Sequence, residues 1–523
     1  MRVGGPYEVK ISYIGYKDEV IKNIYISLGE PSVFNVDLKE DSQQLGEVTV
    51  TGKAKANGMG AAQNFSRNQI ENTPTVTRNI YDVATMSPLV TNNKFGGITI
   101  AGTNNRYNSF QIDGMVSNDV FGLAGSGTNG GQTGTNPISM DAIEEVQVVV
   151  APFDVRQTNF IGGGINAITK SGTNTFRGTA YTYYRNQDMR GNRINGEDLG
   201  ARSDESKTTY GFTLGGPIIK NKLFFFVNYE KEKTPGEVIK YRAREDGEDA
   251  KGMVSRTLKS DMEKVYNHLK DKYGYDAGSY TNFPADEENT KLLARIDWNI
   301  SKNHKLMVRY NDVKSQDDNL VSGASTPGGV RLNNAGRNSI NSISFANTGY
   351  KQENRVRSIT AELNSVFSPK VSNKLLASFT NINDTRKTDG DLFPFVDIMR
   401  LGSDGKTYEG YMSFGTEIFS FNNGVLNNTF NITDNVTIGL GQHTLTAGLS
   451  YENQHFSNGY MREGTTYYAY NSVDDFINNA KPAAFAYQLG YPGNEDARTK
   501  LTFGLASVYV QDEWRVNPKL RLT

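Results

Sequence analysis

The chain has 523 residues and no cysteine, which removes disulfide frameworks and thiolate metal sites together and leaves the redox compartment undefined. It also has no excess of charge. With 56 basic residues against 57 acidic ones, the electrostatic footprint of a nucleic-acid binder is missing. Long apolar runs are missing too: no stretch approaches the eighteen or so residues of a spanning helix. That absence leaves a membrane β-barrel open, because a strand of about ten residues can span with only its outward face apolar. What is plentiful fits such a chain. There are 28 Tyr, 26 Phe and 53 Gly against only 15 Pro, a balance expected of long antiparallel strands with many turns.

The first residues, MRVGGPYEVK, carry no basic region followed by an apolar core, so no export signal is visible, and an exported protein would have lost its beginning. Tyr7, Val9, Ile11 and Tyr13 alternate with polar residues, and Phe34, Val36 and Leu38 do so again, which predicts half-buried strands. About forty residues with about three strands are too few for a core of their own. Residues 1–40 are therefore expected to be the rear of a small β-sandwich, followed by a polar linker over 41–53.

From Leu45 the texture becomes mixed α/β. A short helix is expected over 79–86, stopped before Pro88, then two brief strands in "GITIAGTNNRYNSFQIDGM". Residues 119–136 are so rich in glycine, threonine and asparagine that regular structure is not expected there. "MDAIEEVQVVVAPFD" returns to a short helix and a β-branched strand.

The stretch "IGGGINAITKSGTN" (161–174) borrows the look of a phosphate loop. Lys170 and Ser171 are in place, but Thr169 stands where GxxxxGK[ST] needs its second glycine, and a Cβ there obstructs the approach of backbone N–H groups to phosphate. The preceding "INAIT" favours a strand.

Beyond Lys170 candidate strands come in pairs joined alternately by short and long connections. The predicted strands are 175–186, 208–219, 223–230, 291–300, 305–312, 358–367, 374–382, 429–438, 443–451 and 503–513, with an eleventh just begun at the end. Short turns on one side and long loops on the other are the habit of an outer-membrane barrel. Leu292, Ala294, Ile296, Trp298 and Ile300 alternate with Leu293, Arg295, Asp297 and Asn299, one face for lipid and one for water. "LFFFV" (223–227) is apolar on both faces, so its inward Phe224 and Phe226 are expected to meet something that fills the lumen. Eleven strands leave two open edges, which in a bilayer would cost on the order of tens of kcal/mol; further strands are expected to follow Thr523.

Several of these stretches together carry a family resemblance: "YEVKISYIGYKDEVIKNIYIS", "LGEVTVTG", "FQIDGM", "IEEVQVVVAPFDVRQTNFIGGGINAITKSGTN", "GGPIIKNKLFFFVNYE" and "SVYVQDEWRVNPKL". In this order the chain resembles the TonB-dependent outer-membrane receptors, in the Oar-like branch common in Bacteroidetes-type bacteria, where a carboxypeptidase-regulatory-like sandwich precedes a plug and a barrel. The resemblance implies a mainly β fold. Its parts are a transmembrane antiparallel β-barrel present for about half of 22 strands, an internal α/β plug, and the sandwich remnant. The implied domains are 1–40 for the sandwich, 41–53 for a linker with the coupling box, 54–171 for the plug and 172–523 for the barrel. Many members carry Arg-Gly where this chain has Ala101 and Gly102, so no role passes to that arginine, although Arg106 lies near.

By the same resemblance, the protein imports a ligand across the outer membrane of a Gram-negative bacterium, driven by TonB and the inner-membrane proton-motive force. The partners are TonB, outer-membrane lipid and an unknown extracellular ligand, with no nucleic acid. TonB would pair by β-augmentation with Leu45, Glu47, Val48, Thr49, Val50 and Thr51, a segment whose two valines favour extension between Gly46 and Gly52. Arg106, Tyr107 and Phe121 are the candidates for ligand contact at the plug apex, with packing or solvated-loop roles as the alternative for each. A surface adhesin or structural receptor on the same barrel is the alternative function. No enzyme, cofactor or metal is expected: His268, His304, His443 and His455 are scattered, GxSxG is absent, and "SQDDN" (315–319) reads as a solvated turn without calcium-loop spacing. Val254, Leu258, Met262, Val265 and Leu269 recur at helical spacing, which predicts a helix over 252–273 folded into an outer loop as scaffold.

Overall fold

The period-two alternation of the second half of the chain becomes one sheet. In the computed structural model, which describes residues 2–13, 16, 18–28, 34, 36, 38, 61–75, 77–92, 97–150, 154–157, 161–198, 205–237, 241–281, 283–323, 336–517 and 520–523, eleven strands follow one another in sequence order. They are Arg177–Asn186, Ser206–Ile219, Leu223–Glu237, Pro284–Asn299, His304–Asn319, Tyr350–Ser368, Val371–Lys387, Gly424–Leu440, His443–Gly459, Arg498–Asn517 and Leu520–Leu522. Each is antiparallel to the next. Among the described residues the outer edges of the first and last strands are unpaired, so the sheet is a curved wall and not a closed barrel.

Connections keep strict parity. Residues 220–222, 300–303, 369–370 and 441–442 turn at one rim, and 187–205, 238–283, 320–349, 388–423 and 460–497 form long excursions at the other. The observed strands outrun the predicted ones mainly at the loop rim, where charged residues blur the alternation. Outward positions such as Phe212, Ile296, Ile359, Phe379 and Leu449 are exposed, an apolar band of the kind expected on a barrel's lipid face. Phe176, Trp298, Phe367 and Trp514 stand exposed near the turn rim, an aromatic girdle that uses both tryptophans of the chain.

The inward face is covered by a plug. Its strands are β3 Ala61–Ser66, β6 Ser109–Ile112, β7 Met115–Val116, β8 Ile143–Val150 and β9 Gly163–Thr169, in the sheet order β3-β8-β9-β6-β7, with β4 Val90–Asn92 and β5 Ile98–Ile100 paired as a separate hairpin. Only β6 and β9 run parallel. Two short helices close the core. For α1 (Arg67–Asn72), Ser66 and Gln69 make a reciprocal capping box; for α2 (Ile80–Ala84), Asn79 caps the Tyr81 N–H. The plug core of Ile80, Val83, Phe110, Val146 and Ile165 is continuous with Phe226 and Leu293 of the wall. Phe226 thus packs on the plug as expected, whereas Phe224, buried as well, has the Arg2 guanidinium of the N-terminal segment over its ring at 5.5 Å. Residues 119–136 contain a 3₁₀ turn, Gly131–Thr133, and a single bridge from Thr128 to Asn118, yet they are not loose. Thr133 Oγ1 lies 2.7 Å from Ser315 Oγ, and Asn354 donates to the Gly130 carbonyl at 2.9 Å.

At the N-terminus, β1 (Gly4–Ile11) and β2 (Glu19–Ile26) form an antiparallel hairpin. Arg2 pairs with Asp297 at 3.3 Å near the turn rim. The Leu28 main chain is gripped by the plug: its N–H donates to Glu145, and its carbonyl accepts from Asn64 of β3 and Gln147 of β8. The expected strand around Phe34 and Leu38 lies largely outside the described residues, and the linker over 41–53 wholly so.

Above the loop rim, four excursions build a cap with its own core. A five-stranded sheet takes Ile343–Ser344, Tyr408–Phe414, Phe395–Leu401, Tyr467–Tyr470 and Ala484–Ala486 in that order. Against it packs α3 (Lys259–Tyr273), burying Met262, Val265 and Leu269. Asp261 in its first turn, Lys270 and Lys272 in its last, and Gly274 at φ 66° define its ends. The helix expected over 252–273 is therefore shorter. Val254–Leu258 is a strand, held extended because the Arg256 N–H donates to the Ile340 carbonyl and Thr257 Oγ1 to the Tyr411 carbonyl; these tertiary bonds override the helical spacing of Val254 and Leu258. At the centre of the cap Arg337 makes two bonds to Asp397, at 2.9 and 2.8 Å, and Ser413 and Tyr467 donate to the same carboxylate. The pair is fully buried, and its carboxylate accepts from three side chains.

Candidate functional site

Three features of the plug face the wall: two charged anchors and a cavity at the outer apex. The first anchor begins with a turn. Asp113 and Gly114 join β6 to β7 with φ of 48° and 81°, the type I′ geometry that Asp-Gly favours in a two-residue hairpin. The turn presents the Asp113 carboxylate to two wall arginines. Arg309 Nη1 donates to its Oδ2, Arg295 Nη1 stands 3.5 Å from Oδ1, and Thr169 of β9 donates both its N–H (2.9 Å) and its hydroxyl (2.8 Å). Arg295 is shared with Asp297 at 3.0 Å and with the Thr169 carbonyl. Burial alone would raise the Asp113 carboxyl; the Arg309 and Arg295 guanidiniums and the Thr169 donors outweigh it and hold the group below its ordinary value.

A second anchor joins Ser139 to the wall. Glu230 accepts from Ser139 (2.8 Å), Tyr181 (3.0 Å) and Lys291 (2.8 Å). These contacts are charge-assisted and shielded from water, which makes them strong and directional. Lys170, the lysine of the phosphate-like stretch, is buried 3.2 Å from Glu71 of α1. Burial, with Arg67 close by, lowers its ammonium. "GGINAIT" is β9, and its glycines serve close packing: a Cβ on Gly163 would run into the Ile100 side chain and the Val149 carbonyl.

At the apex, a cavity of about 400 Å³ opens between plug and wall, within the range that holds a small-molecule ligand. The plug contributes Arg106, Asn118, Asp119 and Phe121. The wall contributes Thr380, Asn427, Thr429, Asn431 and Gln454, hydrogen-bonding groups without net charge, and the acid Glu452. The Arg106 guanidinium is exposed and donates to the Gly122 carbonyl at 2.7 Å, a bond that leaves its charge uncompensated. Phe121 meets Phe456 edge to face at 4.9 Å.

Two of the three predicted ligand residues, Arg106 and Phe121, thus come together on the cavity wall. Tyr107 does not line it; its ring is exposed, and its carbonyl accepts from the Ile161 and Gly162 N–H groups. The coupling candidates Leu45, Glu47, Val48, Thr49, Val50 and Thr51 lie outside the described residues. The sequence reading missed the wall's share. Its signal was present: Asn427, Thr429 and Asn431 alternate with Asn428, Phe430 and Ile432, which marks one face as polar but not what that face encloses.

Comparison with known proteins gives the site its context. Residues 168–238 and 259–523, more than half of the chain, match the family described as an outer membrane beta barrel domain, and residues 54–165 match the TonB-dependent Receptor Plug Domain. Over 340 residues the chain is 24% identical to the TonB-dependent transporter Oar of Myxococcus xanthus, an alignment covering 60% of this chain and 29% of that protein. Its fold is similar to the outer membrane transporter YddB of Escherichia coli, with a TM-score of 0.56 and 13% identity over 87% of this chain and 55% of the other. It is also similar to the ferric enterobactin receptor PfeA of Pseudomonas aeruginosa, with a TM-score of 0.50 and 15% identity over 87% and 56%. The chain spans about half the length of those structures and less than a third of the curated relative.

Proposed function

Because the chain belongs to the outer-membrane β-barrel family and carries a TonB-dependent receptor plug, in the outer membrane of a Gram-negative bacterium, we propose that it is an energised importer. The family is one of transporters and receptors, not of enzymes. The observation that carries the reading is the plug itself: it covers the inward face of the wall, is tied there by Asp113 to Arg309 and by Ser139 to Glu230, and presents a ligand-sized cavity on its outer side. A passive pore has no use for such an obstruction. Work from TonB, drawn from the inner-membrane proton-motive force, would be delivered by β-augmentation on Leu45, Glu47, Val48, Thr49, Val50 and Thr51, where main-chain hydrogen bonds give affinity and the side chains can be loose. Cargo would sit against Arg106 and Phe121, while Tyr107 acts through its main chain.

The finer architecture belongs to the same proposal: the eleven strands form half of a wall of about 22, and the hairpin β1–β2 is the rear of a carboxypeptidase-regulatory-like sandwich of the Oar-like, Bacteroidetes-type branch. Deleting residues 45–51 tests the importer. Energy-dependent accumulation of ligand stops while the amount of receptor in the outer membrane is unchanged; uptake that persists refutes it. The cap supports a second reading. Four loops with a shared core and a row of exposed aromatics, Phe485, Tyr487 and Tyr491, suit a surface adhesin, whose binding would ignore the proton-motive force.

A further inference from the structure

Beside the ligand-sized cavity, a smaller one opens where the plug apex meets the wall. About 10 Å³ of it is open to the centre of a water-sized particle, room for one such particle. Asp119 of the plug and Asp384 of the strand Val371–Lys387 both line it, with the amide side chains of Asn129, Gln132 and Asn427, and no basic residue does. The two carboxylates differ. Asp119 closes a turn, its Oδ1 accepting from the Phe121 N–H at 3.0 Å and its Oδ2 from the Ala124 N–H at 2.6 Å. Asp384 accepts from Gln132 Nε2 at 3.2 Å through Oδ2, whereas its Oδ1 is buried with no hydrogen-bond partner among the described residues, in a residue only 8% exposed.

An orphaned carboxylate oxygen next to a second acid is among the costliest things to bury. A water molecule would satisfy the lone pair and leave the charge. We propose that this pocket takes a hard divalent cation of the calcium class, bound by Asp384 and Asp119 with amide and main-chain oxygens, and that the ion fastens the plug's 119–134 loop to the wall. Two carboxylates among neutral oxygens are the mixed set that calcium accepts in flexible geometry, and so few charges place the affinity on the order of 10⁻⁴ to 10⁻³ M. The loop is otherwise held there by hydrogen bonds of Gln132, Thr133 and the Gly130 carbonyl.

The test uses the receptor purified from outer membranes, stripped with EGTA and titrated with calcium alone, against Asp384→Asn, which keeps shape and removes the charge. The wild type binds one calcium per chain more than the variant, or binds it at least tenfold more tightly. Calcium raises the wild-type Tm and slows hydrogen exchange over 119–134, and does neither in the variant. In EGTA the order reverses and Asp384→Asn is the more stable protein. Identical calcium isotherms overturn the proposal. So does a wild type at least as stable as the variant in EGTA, the outcome expected of a carboxyl that carries its own proton.

Discussion

At the residue scale the plug is held by one side chain more than any other. Asp113 is 6% exposed and faces two guanidiniums and two Thr169 donors, so removing its charge strands Arg309, which is fully buried, without its counter-ion. Asp113→Asn tolerates the same positive φ and isolates the electrostatics; it is expected to weaken docking of the β6–β7 hairpin by about 3 kcal/mol, read as faster hydrogen exchange over 109–116. The pH dependence follows from the direction of the shift. The carboxyl is held below its ordinary 3.8, so its contribution is present above that value and is lost only as pH falls through the lower folded value. Docking is thus flat from pH 5 to 8 and loosens below about 4, and Asp113→Asn removes the acid step. The turn was legible, since "IDG" spells a type I′ hairpin. Its partners were not, because Arg295 and Arg309 lie more than 180 residues away in sequence and nothing local distinguishes them from other inward polar residues.

At the scale of elements, β3 is the exposed flank of the plug sheet. Among the described residues it pairs only with β8, from Ala61↔Val150 to Ser66↔Glu145, whereas β9 lies between β8 and β6. Ala62 and Val149 stand opposite each other, close enough in an antiparallel pair for a disulfide, and the chain has no cysteine to interfere. The double variant Ala62→Cys, Val149→Cys is expected to bind ligand but lose accumulation when oxidised, and to recover it with reductant. Accumulation that is indifferent to oxidation would show that β3 stays in place during transport. Strands and helices of the plug were readable from β-branched runs and caps, with α2 stopped at Ala84 before Pro88. The strand Val254–Leu258 was not, because its apolar positions share the helical spacing of α3, while what holds it extended is parallel pairing with Arg242–Arg244 and bonds to the Ile340 and Tyr411 carbonyls.

For the whole molecule, the plug core includes Phe226 and Leu293 of the wall, whereas the cap core draws its side chains from the excursions alone. Plug and wall should therefore lose protection together, and the cap earlier. Leu269→Ala, at a fully buried site, is expected to cost the cap about 3 kcal/mol and to expose 238–283 to protease while the wall stays protected. The rhythm of turns and excursions was visible in the sequence because each wall strand pairs with its neighbour in the chain. The cap was invisible, since its sheet is assembled from short strands of separate loops. One contact near the N-terminus bears on how the molecule takes load. Both ends of the segment between Leu28 and Ala61 are moored to the same plug, Leu28 through Asn64, Gln147 and Glu145 and Ala61 through Val150. Like a rope tied at both ends and pulled in the middle, that segment divides any tension between two knots, and β3 feels the full pull only after the hairpin has let go.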